Sequence, residues 1–172
     1  MIQDPLTLYK LIVLYMLNRV TFPITRSQIS DFILEKEYTN FLTLQQVFSE
    51  LIDARLIDAQ SVRNRTHLMI TADGRETLQF FANRINYGIK EDIDAFLKEK
   101  SVAMRNEVSI LADYSYRSAS GEYEAKLTAM DKGITLVSIT LSVPTEDTAA
   151  AICDNWQKKN QEVYRKLIEQ LF

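Results

Sequence analysis

The chain has 172 residues, enough for one large domain or two small ones, each burying a modest core. Its hydrophobic fraction of 47% and charged fraction of 25% are ordinary globular values, and with only 4 glycines and 3 prolines neither long flexible linkers nor long disordered tails are expected. The formal net charge of −3 excludes a simple polycation that coats nucleic acid, so any such contact must come from local clusters.

The first predicted helix opens at Asp4-Pro5, an acidic N-cap followed by proline at the first helical position, and runs to about Arg19. Leu6, Leu8, Tyr9 and the run Leu11 to Leu17 leave it almost no polar face. In a domain this small, that predicts one side against a second protomer. Thr25-Arg26-Ser27-Gln28 reads as a capping box and opens a second helix with Ile29, Phe32 and Ile33 on one face. Thr43-Leu44-Gln45-Gln46 reads as another. Behind it Leu44, Val47, Phe48, Leu51 and Ile52 recur at helical spacing, opposite Gln45, Gln46, Ser49, Glu50 and Asp53.

Two strand-like segments, Leu56 to Val62 and Thr66 to Ile70, flank the basic tip Arg63-Asn64-Arg65 and predict a hairpin. Thr71 then caps a helix with Leu78, Phe81, Ala82 and Ile85 inward, and Gly74 in its first turn permits close packing. Helix, helix, helix, hairpin, helix is the order of a winged helix-turn-helix domain. The third helix is then the recognition helix and the hairpin tip the wing.

Beyond residue 85 a helix is expected from about Asn86 to Arg105. Three period-two segments follow. They carry Val108, Ile110, Ala112 and Tyr114; Tyr123, Ala125, Leu127 and Ala129; and Val137, Ile139, Leu141 and Val143. Short polar breaks between them predict an antiparallel meander. Pro144 stops the third strand, and Thr145 caps a long last helix whose inward stripe runs from Ala149 through Cys153 and Trp156 to Tyr164, Ile168 and Leu171. The fold class is therefore α+β. Residues 1–85 form a winged helix-turn-helix domain, and residues 86–172 a helix, a three-stranded antiparallel sheet and a C-terminal helix, serving as a dimerisation or sensor domain.

Catalytic signals are missing. There is no Gly-rich phosphate loop and no nucleophile elbow, and one histidine (His67) and one cysteine (Cys153) leave no triad or His/Cys metal site, so neither an enzyme nor a cofactor is expected. His67 reads as a packed strand residue rather than a phosphate reader, Cys153 as a buried small hydrophobe, and Trp156 as core. The longest apolar run, Leu11 to Leu17, is far short of the roughly twenty residues of a membrane span. The N-terminus lacks a basic region and a small-residue cleavage site. With a single cysteine, a cytoplasmic setting is expected.

Lys+Arg and Asp+Glu balance at nine each from Met1 to Ile85, so the acidic excess lies in the second half and a DNA contact belongs to the first. Thr43, Gln45, Gln46 and Ser49 would read base edges and phosphates, Arg26 and Ser27 would hold phosphate, and Arg63, Asn64 and Arg65 would work from the wing. Against this stand Glu50, Asp53 and the lack of any Lys or Arg in the recognition helix before Arg55.

Tyr38 to Leu51, Ile70-Thr71-Ala72-Asp73-Gly74, Ala112-Asp113-Tyr114 and Asn155-Trp156 followed by Tyr164 resemble the corresponding segments of the domain-of-unknown-function family 4364 of Gram-positive bacteria. The resemblance implies a winged-helix, transcription-regulator-like protein and supplies no functional residues. The expectation is a DNA-binding regulator that dimerises through its first helix, the helix from Asn86, or both, with recognition helices about 34 Å apart on double-stranded DNA. The alternative is a winged-helix adaptor that binds protein. A third, weaker possibility is a second half that binds a small molecule in an apolar pocket beside Trp156 and Tyr114, the effector being unknown, and no membrane partner is expected.

Overall fold

The computed structural model describes residues 4–62 and 64–172. They form an α+β protein of two compact units, one ending at Val108 and the other Ser109–Phe172. Among these residues no helix is long and apolar enough to cross a membrane.

In the first unit, α1 (Pro5–Asn18) starts where Asp4 and Pro5 place it, the Asp4 side chain accepting from the Leu6 N–H at 3.2 Å. From Leu11 to Leu17 every residue except Tyr15 is buried. These residues pack against α3 (Phe41–Asp53), α4 (Ala72–Phe81) and β3 (Arg65–Ile70) of the same unit, which accounts for the apolar run within one chain.

The capping box of α2 (Arg26–Glu35) forms as expected. Thr25 Oγ1 accepts from the Gln28 N–H at 3.1 Å, and Gln28 Oε1 accepts from the Thr25 N–H at 2.9 Å. The second expected box does not form. Asn40, not Thr43, caps α3, with its Oδ1 accepting from the Thr43 N–H at 2.9 Å. Both residues can cap, and the earlier one starts the helix at Phe41. Gln45 and Gln46 consequently leave the first turn. Leu44, Val47, Phe48 and Leu51 still face the core.

The hairpin β2 (Ile57–Val62) and β3 closes with Val62 opposite Arg65 and Asn64 at φ 63°, so Arg65 is the first strand residue rather than part of the tip. A third strand was not anticipated. β1 (Ile24–Thr25) pairs antiparallel with β3, giving the order β1-β3-β2. Thr71 caps α4 as expected. Gly74 sits so close to the end of α3 that a Cβ there would lie 2.1 Å from the Leu56 carbonyl oxygen. The helix then tightens into a 3-10 turn at Ala82–Arg84, which keeps Ile85 buried but leaves Phe81 40% exposed, contrary to its expected inward position.

The next helix, α5 (Tyr87–Ser109), runs past Arg105, so Val108 and Ser109 are helical rather than strand. Met104 and Val108, four apart and both buried, extend the stripe begun by Ile93 and Leu97. Phe96 packs on Phe32 of α2 with ring centroids 4.7 Å apart. Tyr38 donates to Asp92 at 2.6 Å, while Tyr15 and Arg19 converge on Asp94. Burial, then the bond to Asp92, pushes the Tyr38 hydroxyl well above the ordinary tyrosine range.

In the second unit, β4 (Ile110–Arg117), β5 (Glu122–Asp131) and β6 (Ile134–Val143) form the expected antiparallel meander in the order β4-β5-β6. The α6 helix (Glu146–Leu171), capped by Thr145, covers one face. Ala125, Leu127 and Ala129 pack with Cys153 and Trp156, whose Nε1 donates to the Thr128 carbonyl at 3.2 Å. The predicted inward stripe holds as far as Val163, which packs on this cluster, but fails at the end of α6, where Ile168 is 41% and Leu171 77% exposed. A helix of 26 residues, about 39 Å long, outruns strands of ten residues, roughly 34 Å.

Candidate nucleic-acid interface

Five of the candidate residues meet in one place. Arg26 and Ser27 from the start of α2, Gln45 from α3, and Asn64 and Arg65 from the hairpin line an open cleft of about 590 Å³. The capping box sets Arg26 at the first helical position, and the pairing of β3 with β2 sets Asn64 and Arg65 on the hairpin side of the cleft. Thr66 and Phe41 also line it.

The guanidinium of Arg26 lies over the Phe48 ring, with Cζ 5.2 Å from the centroid, and its Nε is buried without a hydrogen-bond partner. Arg65 is already engaged, its Nη1 paired with one carboxylate oxygen of Glu107 at the end of α5. The other Glu107 oxygen accepts from Gln28 Nε2 at 2.5 Å. Gln28 thus joins the α2 cap to Glu107, and Glu107 joins it to the hairpin. With Asp31 also on the lining, two carboxylates match the two arginines. No continuous positive strip runs through the described residues here. Arg63 lies outside them.

Thr43, Gln46 and Ser49 do not line this cleft. Gln46 and Ser49 belong to an outer stripe of α3 with Leu42 and Asp53, all exposed and spaced at helical intervals. Gln46 donates to Glu50 at 2.8 Å, and Lys10 contacts the same carboxylate at 2.5 Å. These bonds, Lys10 first, hold the Glu50 carboxyl below the usual range and counter the charge expected to repel phosphate.

His67 is 8% exposed in β3, opposite Thr25 and Gln60, and is not placed to read phosphate. Burial, then the neighbouring Arg65 charge, lowers its pKa below the ordinary value of 6.5.

Sequence reasoning missed two features. Glu107 belongs to the cleft but stands 42 residues from Arg65, within a run of ordinary surface charges that carries no local signal. Phe41 and Leu42, read as preceding the helix, are its first turn and stand 57% and 79% exposed.

The family model described as Domain of unknown function (DUF4364) matches residues 9–171. No curated protein matches, and no solved structure matches.

Proposed function

The chain belongs to the domain-of-unknown-function family DUF4364, and from its own geometry we propose that it is a homodimeric DNA-binding transcriptional regulator of the winged-helix type. The observation that carries this reading is the cleft, where the start of α2, the Gln45 side of α3 and the β2–β3 hairpin share one surface. The order α1, β1, α2, α3, β2, β3, α4 with sheet order β1-β3-β2 fits a recognition helix supported by a wing.

In this reading α3 enters the major groove, and Gln46 and Ser49 on its outer stripe hydrogen-bond base edges. Arg26 and Ser27, which line the cleft at the start of α2, hold a backbone phosphate. Asn64 and Arg65 hold a second phosphate once Arg65 exchanges Glu107 for it. The reading assigns no catalytic residue and no cofactor.

A salt series of binding to fragments of the protein's own genomic neighbourhood tests the proposal, because phosphate contacts release counterions and weaken as salt rises. Salt-sensitive binding to one fragment, weakened by Arg26→Ala and by Arg65→Ala, is the expected result. A folded protein with no binding at low salt would sink it.

The exposed Phe41–Leu42 pair and the balanced charge of the cleft favour a second reading, a winged-helix adaptor that docks a protein through an apolar patch. Leu42→Ser, which removes the apolar side chain and adds no charge to the groove-facing stripe, separates the two. An adaptor loses its protein partner, whereas a DNA regulator keeps its salt-dependent phosphate contacts.

A further inference from the structure

The two edges of the second sheet are built differently. β4 carries Asp113 and Arg117, the latter tied to Glu124 at 2.5 Å. Charges of this kind keep an edge from pairing with another chain. β6 has ten residues, Ile134–Val143, and none of them is charged, glycine or proline. Its register against β5 slips at Ala129/Met130 and is regular from Val137 to Val143.

That regular stretch reads Val137-Ser138-Ile139-Thr140-Leu141-Ser142-Val143. About Thr140 it is chemically symmetric, with valine at both ends, serine next, and isoleucine matched by leucine. A two-fold axis between identical edges makes them antiparallel and sets each residue opposite its mirror position. Centred on Thr140, this sets Ile139 opposite Leu141, Ser138 opposite Ser142 and Val137 opposite Val143. Like chemistry meets like on each face, and no charge is brought against itself.

The covering helix leaves room for such a partner. α6 packs mainly over β4 and β5, so Leu141 remains 41% exposed while Ile139 and Val137 are only half-buried. We infer that β6 is a self-association edge, through which two copies of this chain join antiparallel about Thr140 into one sheet of order β4-β5-β6-β6-β5-β4. The pairing takes up the homodimer half of the proposed function. Its readouts contain no DNA, so a failed pairing and a failed DNA contact are told apart.

The test uses the full chain. Light scattering is expected to give about twice the monomer mass of 19.9 kDa. Leu141→Lys, which sets two ammonium groups near the axis, is expected to return it to monomer, while Ser115→Lys on β4 leaves it dimeric. Circular dichroism confirms that each variant stays folded. Cysteine crosslinking reads the register directly, over the background of Cys153. Thr140→Cys is expected to crosslink to itself. Ser138→Cys alone is not, but Ser138→Cys mixed with Ser142→Cys is. If Leu141→Lys loses its fold, the cysteine pairs decide alone. A monomer at every concentration overturns the assignment, and so does a dimer that survives Leu141→Lys without any crosslink at Thr140→Cys.

Discussion

Glu107 holds Gln28 and Arg65 at once, one carboxylate oxygen for each, and so ties the end of α5 to both the α2 cap and the β2–β3 hairpin. Its two partners lie 79 and 42 residues away along the chain. An anion that binds through the Nη1 of Arg65 must take it from this carboxylate.

Glu107→Gln keeps the size of the side chain and its hydrogen bond to Gln28, but removes the charge that competes for Arg65. The two side chains are 57% and 41% exposed, so solvent screens the pair and it is worth only about 0.2–1 kcal/mol. If the cleft binds DNA phosphate, the variant is expected to bind about 1.4- to five-fold more tightly at low salt. Fluorescence anisotropy with a labelled duplex measures this. Unchanged affinity would remove Arg65 from the set of phosphate contacts.

Gly74 stands where no side chain fits. An added Cβ would meet the Leu56 carbonyl oxygen at 2.1 Å and Ile70 Cγ1 at 2.8 Å. The same carbonyl accepts from the Thr71 N–H at 3.1 Å, and Thr71 Oγ1 caps the Gly74 N–H at 3.0 Å. Neither backbone can move without loosening the α4 cap. Gly74→Ala is expected to destabilise the first unit by about 1–3 kcal/mol in urea unfolding, despite the higher helix propensity of alanine. A stability equal to or above the parent would show that the two segments are not in close contact.

What could be read from the sequence was local. Asp4, Thr25, Thr71 and Thr145 cap the helices where a short polar side chain followed by helical spacing places them. The β4-β5-β6 meander was legible because its strands are long enough for alternation to show. β1 was not, because two residues cannot display a period of two. At α3 two capping residues stood three apart, and the choice of Asn40 over Thr43 began the helix at Phe41 and carried Gln45 and Gln46 out of its first turn. The end of α6 was misread because an apolar stripe does not reveal where the sheet beneath it stops. Glu107 lay beyond sequence reasoning altogether, since only the packing of α5 brings it to Arg65.

His67 gives the first unit a pH dependence of known sign. Its folded pKa lies below the unfolded value near 6.5, so the unfolded chain binds more protons in the interval between them. Stability from the neutral, buried imidazole is present above that unfolded value and is lost as pH falls through it toward the folded pKa. His67→Gln cannot take up this proton. Urea midpoints measured from about pH 7.5 down to 5.5 are expected to fall more steeply for the parent than for the variant. Parallel slopes would mean that the imidazole is protonated equally in both states.

α2 and α3 end alike, each on a non-glycine residue in the left-handed region. Glu37 stands at φ 55° and Arg55 at φ 59°. In both, the next N–H reaches back to close the helix, Tyr38 to the Ile33 carbonyl at 3.1 Å and Leu56 to the Leu51 carbonyl at 3.0 Å. This six-to-one closure favours glycine at the left-handed position, where a Cβ costs about 1–2 kcal/mol. Glycine also gains freedom in the unfolded chain, which offsets about 0.4–1 kcal/mol. Glu37→Gly and Arg55→Gly are therefore each expected to stabilise the unit by about 0.5–1 kcal/mol. The two sites lie at different helix ends, so the double variant is expected to be near additive. Chemical denaturation of the two single variants and the double variant checks both points. A loss of stability in Glu37→Gly alone would show that its side chain makes a contact worth more than the strain it carries.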